Sequence, residues 1–191
     1  MTDGTDPIAL IVVDVQRGFE ARVWGRRNNP SCEENIAALI AVWREGGWPT
    51  VFVRHDSRAP AAPLAPDQPG NDFKSILDGK PDLLVAKEVN SAFYGQPDLH
   101  EWLMARRIRG VAVCGITTNH CCETTARMAG NLGYETWFIL DATHTFDRQD
   151  LAGEWMSADE LTRVTATNLH GEFATVLQTV EVVARISGIA R

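Results

Sequence analysis

Val111-Ala-Val-Cys-Gly-Ile-Thr-Thr-Asn-His-Cys-Cys-Glu-Thr-Thr-Ala126 begins as a buried strand and ends as a helix. The run Val111–Cys114 is short, apolar and partly β-branched, as a strand covered on both faces must be. From His120 the pattern turns helical and continues to Leu132, where Gly133 stops it. This reading puts Cys121 in the first turn of a helix, just past the carboxyl end of a strand. Backbone N–H groups point out of a helix start and favour negative charge. A thiol held there is expected to have a lowered pKa, and the same N–H groups suit an oxyanion.

Similar punctuation recurs on either side. Ile8–Val13, Thr50–Val53, Leu83–Val85 and Glu135–Leu140 also read as buried strands, and Phe173–Gln178 as a weaker one. Helical patterns span Cys32–Glu45, Leu99–Arg107 and Ala158–His170. Strand alternating with helix predicts an α/β fold. Its doubly wound, mostly parallel six-stranded sheet carries helices on both faces. Ligands bind such sheets at the carboxyl ends of the strands. That rule selects Asp14, Arg54-His55-Asp56, Lys87, Gly115–Cys121 and Asp141–His144.

The rhythm breaks between Ser57 and Asp82, which hold five of the nine prolines: Pro60, Pro63, Pro66, Pro69 and Pro81. Long irregular segments in small domains often serve binding sites. This one is read as a wall or lid of the pocket, a surface covered by a neighbouring subunit, or a solvent-exposed loop.

Composition narrows the function classes. The 191 residues suffice for one domain, taken as 1–191, with a sizeable core. Lys and Arg number 18 against 25 Asp and Glu, for a net charge of −7. The short pairs Arg26-Arg27 and Arg106-Arg107 form no basic stripe, so nucleic acid is not an expected partner. No apolar run is long enough to span a membrane. The stretch Met1–Pro7 is acidic, unlike the basic start of a signal peptide, and a cytoplasmic protein is expected. The four cysteines, Cys32, Cys114, Cys121 and Cys122, have neither disulfide-scaffold nor zinc-site spacing. Cys32, Cys114 and Cys122 read as packing residues.

Asp14 follows Ile8–Val13 directly, and Lys87 follows Leu83–Ala86. From spacing alone, Asp14 is as readily a turn residue and Lys87 a solvated surface group. If they meet beside Cys121, the lysine balances the carboxylate and stabilises a thiolate. The aspartate then shuttles the proton.

The ordered motifs add to this. Asp14-Val-Gln16 with Phe19, Arg54-His55-Asp56, Lys87 with Ser91-Ala-Phe93, Gly115-Ile-Thr-Thr118 with Cys121, and Asp141-Ala-Thr follow one another along the chain. From about Ile8 to Val183 the chain resembles the isochorismatase-like cysteine hydrolases, which include nicotinamidases and carbamoylsarcosine-type amidases. The resemblance implies Cys121 as nucleophile, Asp14 as acid and base, and Lys87 as their partner. It also implies a cis peptide between Ile116 and Thr117, an oxyanion hole from the Thr117 and Cys121 N–H groups, and a homo-oligomer.

Related nicotinamidases hold a divalent metal through an Asp-x-His after the second strand. Here the order is Arg54-His55-Asp56, with no further histidine until His100, so neither metal nor cofactor is expected. The predicted pocket takes Phe19, Trp24, Phe93 and Tyr94 as aromatic walls. His55, Asn119 and His120 are its polar candidates, and His144 is ambiguous. Trp155 reads as interfacial. The expected activity is hydrolysis of a small-molecule amide through a thioester on Cys121. Vinyl-ether hydrolysis of the isochorismatase type and a redox-sensing thiol are the alternatives.

Overall fold

Six consecutive apolar residues, Ile8–Val13, are buried along their whole length. Side chains alternate across a strand, so such a segment feeds two cores at once. Leu10 and Val12 enter one cluster, and Ala9, Ile11 and Val13 enter the other.

The computed structural model describes residues 7–77 and 79–189. Its strands are β1 (Ile8–Val13), β2 (Thr50–His55), β3 (Leu83–Lys87), β4 (Gly110–Ile116), β5 (Glu135–His144), β6 (Arg148–Gln149), β7 (Trp155–Met156) and β8 (Thr175–Leu177). The helices are α1 (Cys32–Glu45), α2 (Leu99–Ala105), α3 (Glu123–Asn131), α4 (Ala158–Leu169) and α5 (Thr179–Ile189). Six strands form one sheet in the order β3-β2-β1-β4-β5-β8, every neighbouring pair parallel. The main sheet is therefore wholly parallel rather than mostly so. Helices α1 and α5 supply Ile36, Leu39, Trp43, Val182 and Ile186 to one core. Helices α2, α3 and α4 supply Leu99, Leu103, Ala126, Ala129 and Leu169 to the other. Trp43 Nε1 donates to the Ile8 carbonyl across 2.8 Å, tying α1 to the start of β1.

The chain leaves β1 for β2 on one side and later returns to β4 on the other. This reversal opens a crevice at the carboxyl ends of β1 and β4, where doubly wound sheets bind ligands. The sheet thus positions Asp14 and the turn after Ile116 side by side.

Several boundaries differ from the expected ones. β2, β3, β4 and β5 run on to His55, Lys87, Ile116 and His144, because the strand-end polar residues still pair with neighbours. The helix expected from His120 starts at Glu123, and a π-turn over Thr118–Cys122 precedes it. The Thr117 carbonyl accepts from both the His120 and Cys122 N–H groups, at 3.3 and 3.2 Å, which widens that turn. Helix α2 ends at Ala105, with Arg107 at φ 57°. Helix α5 and the β6–β7 ribbon lie outside the expected elements.

Residues 57–77 of the irregular segment are tied to the domain at several points. Leu64, Ala65 and Asn71 are buried in it. Gln16 Nε2 donates to the carbonyls of Asn71 and His55, at 2.9 and 3.0 Å. Asn71 Nδ2 donates to the carbonyls of His55 and Leu64 and to Asp56 Oδ1. Among the described residues no helix is long and apolar enough to cross a membrane. The acidic stretch Met1–Asp6 lies outside the described residues.

Candidate active site

Three chain segments deliver the residues singled out in the sequence. Asp14 is the residue after β1, fully buried and at φ 51°. Lys87 ends β3, and Cys121 sits in the π-turn after β4. Gly115 lets β4 and β1 approach: it has φ 125°, and a Cβ there would collide with the Val13 carbonyl. The Ile116–Thr117 peptide is cis, as the resemblance implied.

Lys87 Nζ is the centre of the cluster. It donates to Asp14 Oδ2 at 2.6 Å and to Cys121 Sγ at 3.3 Å, and lies 3.0 Å from His55 Nδ1. The Cys121 thiol in turn donates to Asn90 Oδ1 across 3.7 Å. Asp14 Oδ1 is buried and has no hydrogen-bond partner among the described residues, so it remains open to a proton.

The electrostatics differ from the expected low-pKa thiol. Burial pushes the Cys121 thiol well above its ordinary range, and the Asp14 carboxylate pushes the same way. Lys87 opposes them and does not win. Burial alone would depress Lys87, but the pull of Asp14, and of Cys121 whenever it ionises, outweighs it and raises the pKa. His55 is lowered by burial and then by the neighbouring ammonium, which favours a neutral ring accepting at Nδ1. The Lys87 ammonium thus lies against Asp14, and burial favours the protonated form of the thiol beside them.

One cleft reaches Lys87, and a second reaches Thr117 at the start of the turn that carries Cys121. The first, of about 710 Å³, is lined by Lys87, Asp56, Arg58, Tyr94 and Gln96 among others. The second, of about 350 Å³, runs past Thr117, His120, Thr145, Phe146, Arg148, Trp24 and Trp155. Tyr94 and His120 line clefts. Phe93 does not: it is buried and stacks on Tyr134, because its short turn faces the core. Phe19 is also buried, behind the second cleft, where it packs on Trp24 and Phe146. Asn119 Oδ1 accepts from the Thr145 hydroxyl at 2.5 Å and braces the turn. His144 is fully buried, with neither ring nitrogen hydrogen-bonded among the described residues. Trp155, read as interfacial, is 69% exposed at the mouth of the second cleft.

Asn90, Thr145, Phe146 and Arg148 were not singled out by the sequence. Asn90 had a usable signal in its place between Lys87 and Ser91-Ala-Phe93. The others carry no local pattern and are assembled only by the return of the chain after β5.

Asp14, His55 and Cys121 offer ligand atoms within 4.8 Å of one another. Lys87 Nζ already stands among them as the resident cation. The Arg54-His55-Asp56 turn does not fit a divalent ion either. Asp56 is held by Arg54 at 2.9 and 3.1 Å and by Asn71, while His55 faces the ammonium. Cys32, Cys114 and Cys122 are free and buried in the core, as expected of packing residues.

A wholly parallel doubly wound sheet with Asp, Lys and Cys at its switch point defines an isochorismatase-like hydrolase fold. The isochorismatase domain matches residues 8–168, and the chain belongs to that family. It is 41% identical over 174 residues to the uncharacterized isochorismatase family protein YrdC of Bacillus subtilis, covering 90% of this chain and 91% of that one. It is 32% identical over 157 residues to Nicotinamidase 3 of Arabidopsis thaliana, covering 74% and 75%. A crystal structure of an isochorismatase-family protein from Chromobacterium violaceum superposes with a TM-score of 0.91 at 34% identity, covering 98% and 96%.

Proposed function

We propose that this family member is a cysteine hydrolase that cleaves the C–N bond of a small-molecule amide through a thioester on Cys121. The contact of Lys87 Nζ with both Asp14 Oδ2 and Cys121 Sγ carries the reading. The existence of an amide hydrolase, Nicotinamidase 3, among the relatives supports the bond type.

The chemistry follows from the protonation states. The thiol is protonated at rest, so its proton passes to Asp14 as Sγ attacks the carbonyl. Lys87 holds the developing thiolate and the aspartate in register. The carbonyl oxygen becomes an oxyanion held by the Thr117 and Cys121 N–H groups. The C–N bond breaks, Asp14 returns its proton to the departing nitrogen, and a thioester remains. Water then gives a proton to Asp14 and attacks the thioester. The C–S bond breaks, the acid leaves, and the proton returns to Cys121.

Trapping tests this route. Hydroxylamine added during turnover of a small-amide panel should divert the thioester to a hydroxamate. Acid formation at full rate with no hydroxamate would argue for direct attack of water and against a covalent intermediate.

A further inference from the structure

The cleft beside Thr117 contains one cation that the proposed reaction does not use. Arg148 starts the β6–β7 ribbon and lines this cleft with Trp24, Phe146, Trp155 and His120. Its Nη1 lies 3.2 Å from His120 Nε2. Burial and then the adjacent guanidinium lower the His120 pKa, so the ring is neutral and accepts there. Among the described residues Arg148 has no carboxylate partner. The neighbouring acids are committed elsewhere. Asp147 binds Arg26 at 2.8 and 3.0 Å and also accepts from the Ala158 N–H. Asp150 Oδ1 accepts from the N–H groups of Ala152 and Glu154 within its own turn.

The wall that carries Arg148 is firmly held. The Thr145 N–H donates to Asn28 Oδ1 at 3.0 Å, and the Asn28 N–H donates back to the Thr145 carbonyl at 3.2 Å. Trp24 and Phe146 stack with their centroids 5.7 Å apart and 23° between planes, giving an apolar face next to the guanidinium. Thr117 lines the same cleft, and it opens the turn that carries Cys121. A guanidinium donates through a planar fork that matches a carboxylate. One Nη is steadied by His120, and the rest of the fork is available.

We infer that Arg148 is a specificity residue that binds an anionic group, a carboxylate, on the substrate. The substrate class is then a small amide with a flat or apolar body against Trp24 and Phe146 and a carboxylate at its far end. This rests on the cysteine-hydrolase reading for where the reacting carbonyl sits, but the anion site stands on its own geometry.

The test uses two probe pairs that differ in that one group: terephthalamate against terephthalamide, and succinamate against succinamide. Binding is measured by calorimetry on a Cys121→Ala protein, so it does not depend on turnover. The anionic member of at least one pair should bind about tenfold or more tightly, as a charge-assisted pair supplies. Arg148→Ala should abolish that preference, and Arg148→Glu should invert it. Parallel kinetics on the wild-type protein should show the preference chiefly in KM. Equal affinity within both pairs, or a preference that survives Arg148→Ala, would overturn the assignment. Carboxylate-dependent binding without hydrolysis of any probe would keep the anion site and count against the amidase reading instead.

Discussion

Lys87 donates to Asp14 across 2.6 Å with both side chains fully buried. A buried pair of this kind costs more to break than it gains over an apolar pair. Removing one partner strands the other charge in the core. Lys87→Met or Asp14→Asn should therefore lower stability by about 3–5 kcal/mol if the stranded group stays charged. The double variant should recover much of that loss. Urea unfolding of the four proteins measures the coupling, and additive losses would show that the pair is not the constraint.

Loss of the nucleophile and loss of its proton carrier should look alike in kinetics. Cys121→Ala and Asp14→Asn should each reduce kcat/KM by about 1,000-fold or more, because residues that act as one unit do not contribute separately. The double variant should be hardly worse than either single one. Independent, multiplying losses would place the two residues in different steps.

The raised thiol predicts an unusual alkylation profile. Thiolate fraction rises with pH, and a higher pKa moves that rise upward. Carbamidomethylation of Cys121 should still be accelerating above about pH 8.5, the ordinary thiol value. Asp14→Asn removes a charge that raises the thiol, so it should speed alkylation near pH 8 while abolishing hydrolysis. Lys87→Met should slow alkylation. A wild-type rate that is flat from pH 6 upward would restore the helix-start thiolate.

Much of this architecture was legible. Ile8–Val13 and Val111–Cys114 are apolar runs closed by Asp14 and Gly115, Leu83–Val85 runs through Ala86 to Lys87, and the sheet orders them as a doubly wound fold requires. Spacing put Asp14, Lys87 and Cys121 at strand ends, and the resemblance to a family supplied their expected roles. The burial of Phe93 and Phe19 was not legible. An aromatic residue near a strand end fits a pocket or a core equally well, and only packing against Tyr134 or Trp24 decides between them. The π-turn was hidden because a single widened turn leaves the helical periodicity almost unchanged. Arg148 was hidden because a two-residue strand has no period to read.

His144 should make the protein acid-sensitive. Burial, and then the nearby Arg27, lower its pKa to about 3. The unfolded chain takes up a proton near pH 6.5, and the folded chain does not. Stability is therefore lost as pH falls from about 6.5 towards 3, by about 2 kcal/mol at pH 5. Replacing His144 with Phe should flatten the dependence of stability on pH between 7 and 5. An unchanged slope would assign that window to other groups.

The Gln16–Asn71 contacts should be structural as well as local to the site. Gln16 Oε1 accepts from the His55 N–H at 2.8 Å, while its amide holds both Asn71 and His55. Gln16→Leu leaves the His55 N–H and the Asn71 carbonyl without their side-chain partner, at a cost of about 1–3 kcal/mol. It should also raise proteolytic nicking between residues 57 and 77. Protection equal to the wild type would show that the segment is held by its apolar contacts alone.

The central claim is a covalent acyl group on Cys121. Intact-protein mass spectrometry during turnover of a small-amide panel reads it directly, with Cys121→Ala as the control. The account predicts a mass increase equal to the acyl half of the substrate, present on the wild type, located at Cys121 and absent from the control. Rapid hydrolysis with no adduct on quenched wild-type protein, and activity retained by Cys121→Ala, would contradict it.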